Sequence, residues 1–433
     1  MRDLEKLVKL LQELEDQLVV CMRCGMCQAV CPLYAETRRE ADVARGKLAL
    51  LEGLAHRMFK DPRGVAERLD RCLLCGSCAA NCPSGVKVLD IFIKARIILA
   101  TYMGLSPLKK LIFRGIIAHP QIFNHLAKWM ARLQWFFIKE ANRALGTSCI
   151  RFPLSLLANR HIMPLAYRPF HEKVPYLDSE PGASGLKVAL FVGCLIDKIF
   201  PSVAEATIDA LRYHGVGIFI PEEQACCGMP AVSSGDLKTF QSLVRYNLEI
   251  FRKESFDVLV TSCATCAATI KEIWPLLFET GDQDLKQWVH EISDKTMDIH
   301  QFLVHKVGVR EATPQVSPSV KTVTYHDPCH LRKSLGVFSE PRKCIMANPK
   351  VSLKEMEEPE RCCGLGGSFG LEHYELSHRI GTRKLEKIVA TGCDIVATAC
   401  PACMIQLSDM LSQANIPVSV RHSIEIYAES CKR

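Results

Sequence analysis

Eighteen of the 22 cysteines in this 433-residue chain sit at spacings that can gather several sulfurs around one centre. Cys21, Cys24, Cys27 and Cys31 are followed by Pro32, and Cys72, Cys75, Cys78 and Cys82 by Pro83. Further along come Cys194, the pair Cys226–Cys227, and Cys263 with Cys266; these are matched by Cys329, Cys362–Cys363, and Cys400 with Cys403. Thiolates at such short spacing bind metal, whereas disulfides usually join more distant residues. The chain therefore reads as metal-binding in a reducing compartment. Cys149, Cys344, Cys393 and Cys431 fit no ligand spacing and read as small buried hydrophobes.

The first two groups both follow the run C-x2-C-x2-C-x3-C-P, in which three cysteines wrap one iron–sulfur cube and the fourth ligates its neighbour. The expectation is two cubane [4Fe–4S] clusters: one on Cys21, Cys24, Cys27 and Cys82, the other on Cys72, Cys75, Cys78 and Cys31. Gly25 and Gly76 stand where backbone must pass close to a cube. One such motif could hold zinc; two in tandem, each with its proline, fit that reading poorly.

The elements that must carry these residues change character along the chain. Residues 1–20 form an amphipathic helix with Leu4, Leu7, Leu11, Leu14 and Leu18 on one face, suited to packing on the next domain or to a partner seam. Residues 91–175 read as helical, basic and aromatic, and 181–186 (PGASGL) as a linker. After it, short β-branched runs (187–193, 216–220, 257–261, 320–326 and 394–399) alternate with amphipathic helices, the pattern of α/β domains with parallel sheets. The second set of five cysteines repeats the first at offsets of 135 to 137 residues, which marks a duplicated domain. The division expected is 1–90 for an α-helical two-cluster ferredoxin-type domain, 91–180 for a helical linker region, and 187–310 and 320–433 for the α/β pair.

In each α/β copy the first cysteine ends a strand, the C-C-G sits in a turn, and the C-x-x-C opens a helix after another strand. Strand ends of a parallel sheet converge on one crevice, and helix N-termini there stabilise thiolate. Five thiols with an adjacent pair suit a multinuclear iron–sulfur cluster better than tetrahedral zinc, which remains the alternative. His326 and His330 flank Cys329; the bland reading, hydrogen bonding around the site, is preferred over ligation. Gly364, Gly366, Gly367 and Gly370 read as backbone wrapping a cluster rather than a phosphate loop.

The formal charge of +7 counts every cysteine as neutral. A cubane with four thiolates carries about −2, so the excess is largely cancelled and no nucleic-acid partner is inferred. No uncharged apolar run reaches the roughly 18 residues of a spanning helix. The charged N-terminus, MRDLEKLVKLLQELEDQL, lacks the apolar core of a signal peptide. The expected location is cytoplasmic, with segment 107–143 read either as resting on the inner face of the cytoplasmic membrane or, equally, as a packed helical subdomain.

The five-cysteine spacing resembles the cysteine-rich "CCG" domain of heterodisulfide reductases, which implies a noncubane [4Fe–4S] cluster in one or both copies. The whole layout, about residues 15–430, resembles the iron–sulfur subunits of glycolate oxidase and related D-lactate dehydrogenases. READVARGKL (39–48), NCPSGVKV (81–88), HDPCHL (326–331) and CCGLGGSFG (362–370) carry that likeness. The full Cys263-x-x-Cys266 departs from the truncated motif expected of glycolate oxidase subunits. No nicotinamide or flavin fingerprint and no nucleophile triad is found, so no catalytic residue is assigned. The resemblance implies an electron-transfer subunit that takes electrons from an FAD-containing 2-hydroxy-acid dehydrogenase and passes them to a quinone or other acceptor. The rival reading is a heterodisulfide-reductase-type enzyme whose CCG sites reduce a disulfide.

Overall fold

The computed structural model describes residues 4–151, 160–278, 283–312 and 320–432. They form two compact units. One takes the chain up to Ala118 together with Gly228–Ser242 and Gly364–Gly381; the other takes His119–Cys227, Leu243–Cys363 and the chain from Thr382 onward.

The first unit is helical, with no strand among its described residues. Leu7, Leu11, Leu14 and Leu18, on the short helices Leu4–Gln12 and Glu15–Leu18 and the turn between them, are all buried. The helix Leu4–Gln12 packs on the helices Ala44–Ala55 and Val88–Met103. The leucine stripe is thus an internal seam rather than a face left for a partner; the Leu4 side chain lies outside the described residues. A leucine seam of this kind contributes roughly 1.5–3 kcal/mol for each side chain withdrawn from water.

Arg96, on Val88–Met103, is buried and donates to three carbonyls: Ser233 O at 2.7 Å, Cys72 O at 2.8 Å, and Leu69 O. The Leu69 carbonyl lies in the last turn of the helix Arg63–Asp70, where the helix dipole is negative. Arg96 therefore fixes the point where the second cysteine motif begins. Arg96→Met is expected to cost on the order of 3 kcal/mol, because it strands buried carbonyls. Thermal unfolding of the purified variant checks this; an unchanged midpoint would show that the clamp is dispensable.

The second unit holds two parallel sheets of one topology. The first consists of β3 (Leu177–Asp178), β4 (Lys187–Leu190), β5 (Gly217–Ile220), β6 (Val258–Thr261) and β7 (Thr296–Asp298) in the order β3-β5-β4-β6-β7. The second consists of β8 (Lys321–His326), β9 (Val351–Leu353), β10 (Ile395–Thr398) and β11 (Ser419–His422) in the order β11-β10-β8-β9. Without β3, an antiparallel edge strand, the orders β5-β4-β6-β7 and β9-β8-β10-β11 coincide. Ala189 pairs with Leu259 in the first sheet and Val323 with Ile395 in the second. The strands β5, β6 and β10 are buried along their whole length, which is why they read as unbroken apolar runs rather than alternating ones. All five expected strand segments are present. The short strands β7, β9 and β11 had no β-branched run to announce them.

The region expected to be helical from 91 to 175 also holds an antiparallel hairpin, β1 (Ile138–Asn142) with β2 (Thr147–Ile150). Asn142 accepts from the Leu145 N–H, and Gly146 takes a positive φ, so turn chemistry ends the helical pattern there. Before the hairpin, the helix Pro120–Phe137 is built in an unusual way. The residues it buries are Pro120, Ala127 and Ala131, whereas Trp129, Met130, Leu133, Trp135, Phe136 and Phe137 are exposed, Trp135 by 67%. No helix among the described residues is long and apolar enough to cross a membrane.

Candidate metal centres

The two ferredoxin-type motifs lie in the helical unit and face two cavities. One is lined by Cys21, Cys24, Cys27, Cys78 and Cys82. The other is lined by Cys31, Cys72, Cys75 and Cys78. Each motif thus sends its fourth cysteine to the cavity of the other, for a local reason. Gly25 and Gly76, both with positive φ, start one-turn helices at Met26 and Ser77 that carry the third cysteine. The chain then breaks, Cys31 becomes extended, and Pro32 opens a new helix. The fourth sulfur is thereby turned out of its own loop.

Both cavities are mainly apolar, and each has one cation from the segment 39–48. Arg45 lines the first and Lys47 the second, with Ala44 in both. Arg45 bonds to Glu40 and to the Arg23 carbonyl; Lys47 is buried and donates to Asp42 O. Burial pushes the Cys31 thiol up to about 11, against backbone donation and the Lys47 charge, and raises Cys78 as well. These thiols stay protonated at neutral pH until a metal displaces the proton. Unlinked sulfurs, five around the first cavity and four around the second with Cys78 in both, and a nearby cation to offset a dianionic cluster are a donor set that fits [4Fe–4S]. The places of Arg45 and Lys47 beside the cavities are not read from the sequence, although READVARGKL is one of the segments that carry the resemblance.

In the α/β unit, Cys194 opens a short helix after β4, while Cys263 caps the helix Ala264–Ala268 after β6. Cys400 caps Pro401–Gln413 after β10, and Cys329 precedes the turn His330–Ser334 after β8. The first copy gathers its sulfurs closely. The Cys194 thiol lies 3.8 Å from Cys226, Cys263 accepts from the Cys266 N–H at 3.4 Å, and Cys266 interacts with Cys227. The C-C turn is tied down by its carbonyls: Trp274 donates to Cys227 O at 2.9 Å and Asn247 to Cys226 O at 3.1 Å. In the second copy Cys363 and Cys403 are 3.6 Å apart, and Cys362 is buried beside them in the chain.

The two copies also touch through their C-x-x-C turns. Cys263 of the first interacts with Cys400 of the second, the Thr265 hydroxyl is 3.5 Å from Cys400, and Ala264 N donates to Ala399 O. Donation from Cys263 and then Cys403 pulls the Cys400 thiol well below its usual range. His330 pairs with Thr265 at 3.2 Å. Asp327, buried in the same HDPCHL segment, is held by Arg332 and by Arg342 at 2.7 Å. His326 is different: it is fully buried, and neither ring nitrogen has a hydrogen-bond partner among the described residues. His330 thus hydrogen-bonds beside the site, as expected, whereas His326 meets no loop carbonyl among the described residues.

Of the glycines after Cys363, Gly366 serves a close approach between loops. At Gly366, φ +55°, an added Cβ would lie 2.7 Å from the Leu73 side chain and 3.1 Å from its Cα. The loop needs glycine to approach the Cys72–Cys75 turn of the helical unit. Of the four cysteines without ligand spacing, Cys344 and Cys393 are buried, and Cys149 and Cys431 only half-buried.

A helical domain with two cysteine-lined cavities, followed by duplicated parallel-sheet domains with five cysteines each, defines an iron–sulfur protein of the electron-transfer class. Residues 17–86 match the 4Fe-4S dicluster domain, and residues 188–271 and 323–408 match the cysteine-rich CCG domain. The chain belongs to the family that combines them, to which glycolate oxidase iron–sulfur subunits also belong. It is 29% identical to the probable glycolate oxidase iron-sulfur subunit of Bacillus subtilis, over 94% of this chain and 92% of that one. It is 28% identical to a fumarate reductase (CoM/CoB) subunit of Methanothermobacter marburgensis, over 94% of this chain and 71% of the relative. Lactate utilization protein A of a Geobacillus strain is 30% identical over 56% of this chain and 98% of its own length.

Proposed function

We propose that the chain is the iron–sulfur subunit of a 2-hydroxy-acid dehydrogenase, acting on glycolate or D-lactate, that accepts electrons from an FAD-containing partner subunit. Cys21, Cys24, Cys27 and Cys82 hold one cubane cluster, and Cys72, Cys75, Cys78 and Cys31 the other. Cys194, Cys226, Cys227, Cys263 and Cys266, and Cys329, Cys362, Cys363, Cys400 and Cys403, hold noncubane clusters. Bound clusters supply one-electron carriers; the protein's own groups position them, exclude water and set their charge environment. The observation that carries this reading is the pair of cavities, each lined by cysteines from both motifs. Relatives named for glycolate oxidase and lactate utilization support the substrate class.

The first test is iron, sulfide and zinc content of anaerobically purified protein. About sixteen iron per chain without zinc is expected for four tetranuclear clusters. About eight iron with zinc would make the α/β unit a scaffold. With the partner present, glycolate or D-lactate should then bleach the visible cluster absorbance. A second reading, disulfide reduction at the CCG pair, is favoured by the Cys263–Cys400 contact. It requires that an added disulfide reoxidise the reduced chain, taking two electrons and two protons to give two thiols.

The acceptor end is proposed to be a membrane quinone, with the chain resting on the cytoplasmic face. Pro120–Phe137 contains no acidic residue, carries Lys128 and Arg132, and exposes its aromatic residues while burying alanines. That is the build of an interfacial helix. Cosedimentation with vesicles containing anionic lipid is expected to be salt-sensitive and to fall several-fold in Trp129→Ala/Trp135→Ala. Equal binding by the double variant would remove the membrane assignment.

A further inference from the structure

We propose that the second CCG site is a mixed sulfur–nitrogen centre in which His326 gives a ring nitrogen to the iron bound by Cys363 and Cys403. This makes the two repeats chemically inequivalent. The inference rests on the reading that the CCG sites hold iron.

The geometry comes first. One ring nitrogen of His326 and the sulfurs of Cys363 and Cys403 all lie within 4.8 Å of one another, and all three side chains are buried. Two sulfurs on one tetrahedral metal, each about 2.3 Å from it, stand roughly 3.8 Å apart. Cys363 and Cys403 are 3.6 Å apart. The three atoms therefore form one face of a coordination shell that needs only small adjustment.

Hydrogen bonding supplies the second, independent observation. A fully buried imidazole normally pairs at least one nitrogen, since an unsatisfied buried polar group costs about 1–3 kcal/mol. His326 pairs neither. The other buried histidines do pair: His300 bonds to Asp298 and Ser423, and His422 accepts from the Ile424 N–H. A metal at the sulfur pair would satisfy the orphaned nitrogen.

The duplication provides an internal comparison. His326 stands three residues before Cys329, and three residues before Cys194 the first repeat has Phe191. Phe191 is fully buried and stacks on Phe251 at 5.9 Å, so it offers no donor. Lys384 adds to the difference. It is buried in the helix Tyr374–Thr391, the same distance beyond its C-C pair as Leu248 in the first repeat. Its ammonium donates to Glu358 O at 2.6 Å and Pro359 O at 3.3 Å, and so pins the loop that leads into Cys362. The second site thus has a nitrogen donor and a cation where the first has a phenyl ring and an isobutyl group.

The experiment is pulsed EPR on full-length, iron-loaded protein, unlabelled and with [15N]histidine, together with His326→Phe and His326→Gln. Expected are about sixteen iron per chain and a coupling typical of directly bound nitrogen that changes with the label and disappears in both variants. The EPR of the N-terminal clusters, unchanged, shows that the variants are folded; the labelled wild type needs no variant at all. Sixteen iron with no such coupling, or a coupling that survives both substitutions, overturns the inference and leaves the cluster reading standing. About eight iron per chain removes that reading and the inference with it.

Discussion

Cys82→Ala is expected to remove the cluster associated with Cys21, Cys24 and Cys27, and Cys31→Ala the one associated with Cys72, Cys75 and Cys78. Each single substitution should lower iron from about sixteen to about twelve per chain. Double substitutions decide the pairing, because residues that serve one centre are not additive whereas residues of separate centres are. Cys24→Ala/Cys82→Ala should still retain about twelve iron, while Cys72→Ala/Cys82→Ala should retain about eight. The reverse pattern would mean that each motif holds a cluster by itself. The crossed outcome follows from the break at Pro32, which turns Cys31 out of its own loop, and from cavities lined by cysteines of both motifs.

The second large effect is expected at Gly193, the residue before Cys194. It has φ +79°, and a Cβ there would lie 3.0 Å from the Cys266 sulfur. Gly193→Val thus combines left-handed strain with displacement of a sulfur in the first CCG site. Loss of about four iron per chain is expected, with a clear drop in thermal stability. Gly185 is the control. Its φ is +67° and nothing lies within 4 Å of an added Cβ, so Gly185→Ala should cost only the backbone strain, about 1 kcal/mol. Its iron content should be normal. If both variants kept full iron, the close approach at Gly193 would have no bearing on the site.

Much of this protein is legible from local pattern. The strands β4, β5, β6, β8 and β10 announce themselves because buried parallel strands are continuous apolar runs. The duplication is visible because cysteine spacing is set by the crevice at the strand ends, which both copies share. The short strands β7, β9 and β11 and the hairpin at 138–150 were not legible, since edge pairing and a turn formed by Asn142 and Gly146 outweigh a weak local preference.

What the sequence determined by itself was the chemistry: sulfur donors in two groups of four and two of five, at spacings that suit iron–sulfur clusters and belong to one family. Tertiary structure alone decided which other groups meet those sulfurs. Arg45 and Lys47 are two residues apart in the chain, yet line different cavities. Arg96 reaches a carbonyl 137 residues away. Cys263 meets Cys400, and His326 meets Cys363 and Cys403, only once parallel strands have been laid side by side. Spacing encodes ligands close along the chain, because short loops limit where their sulfurs can go. Charges and donors brought in from distant segments depend on how helices and sheets pack, and no local pattern records that.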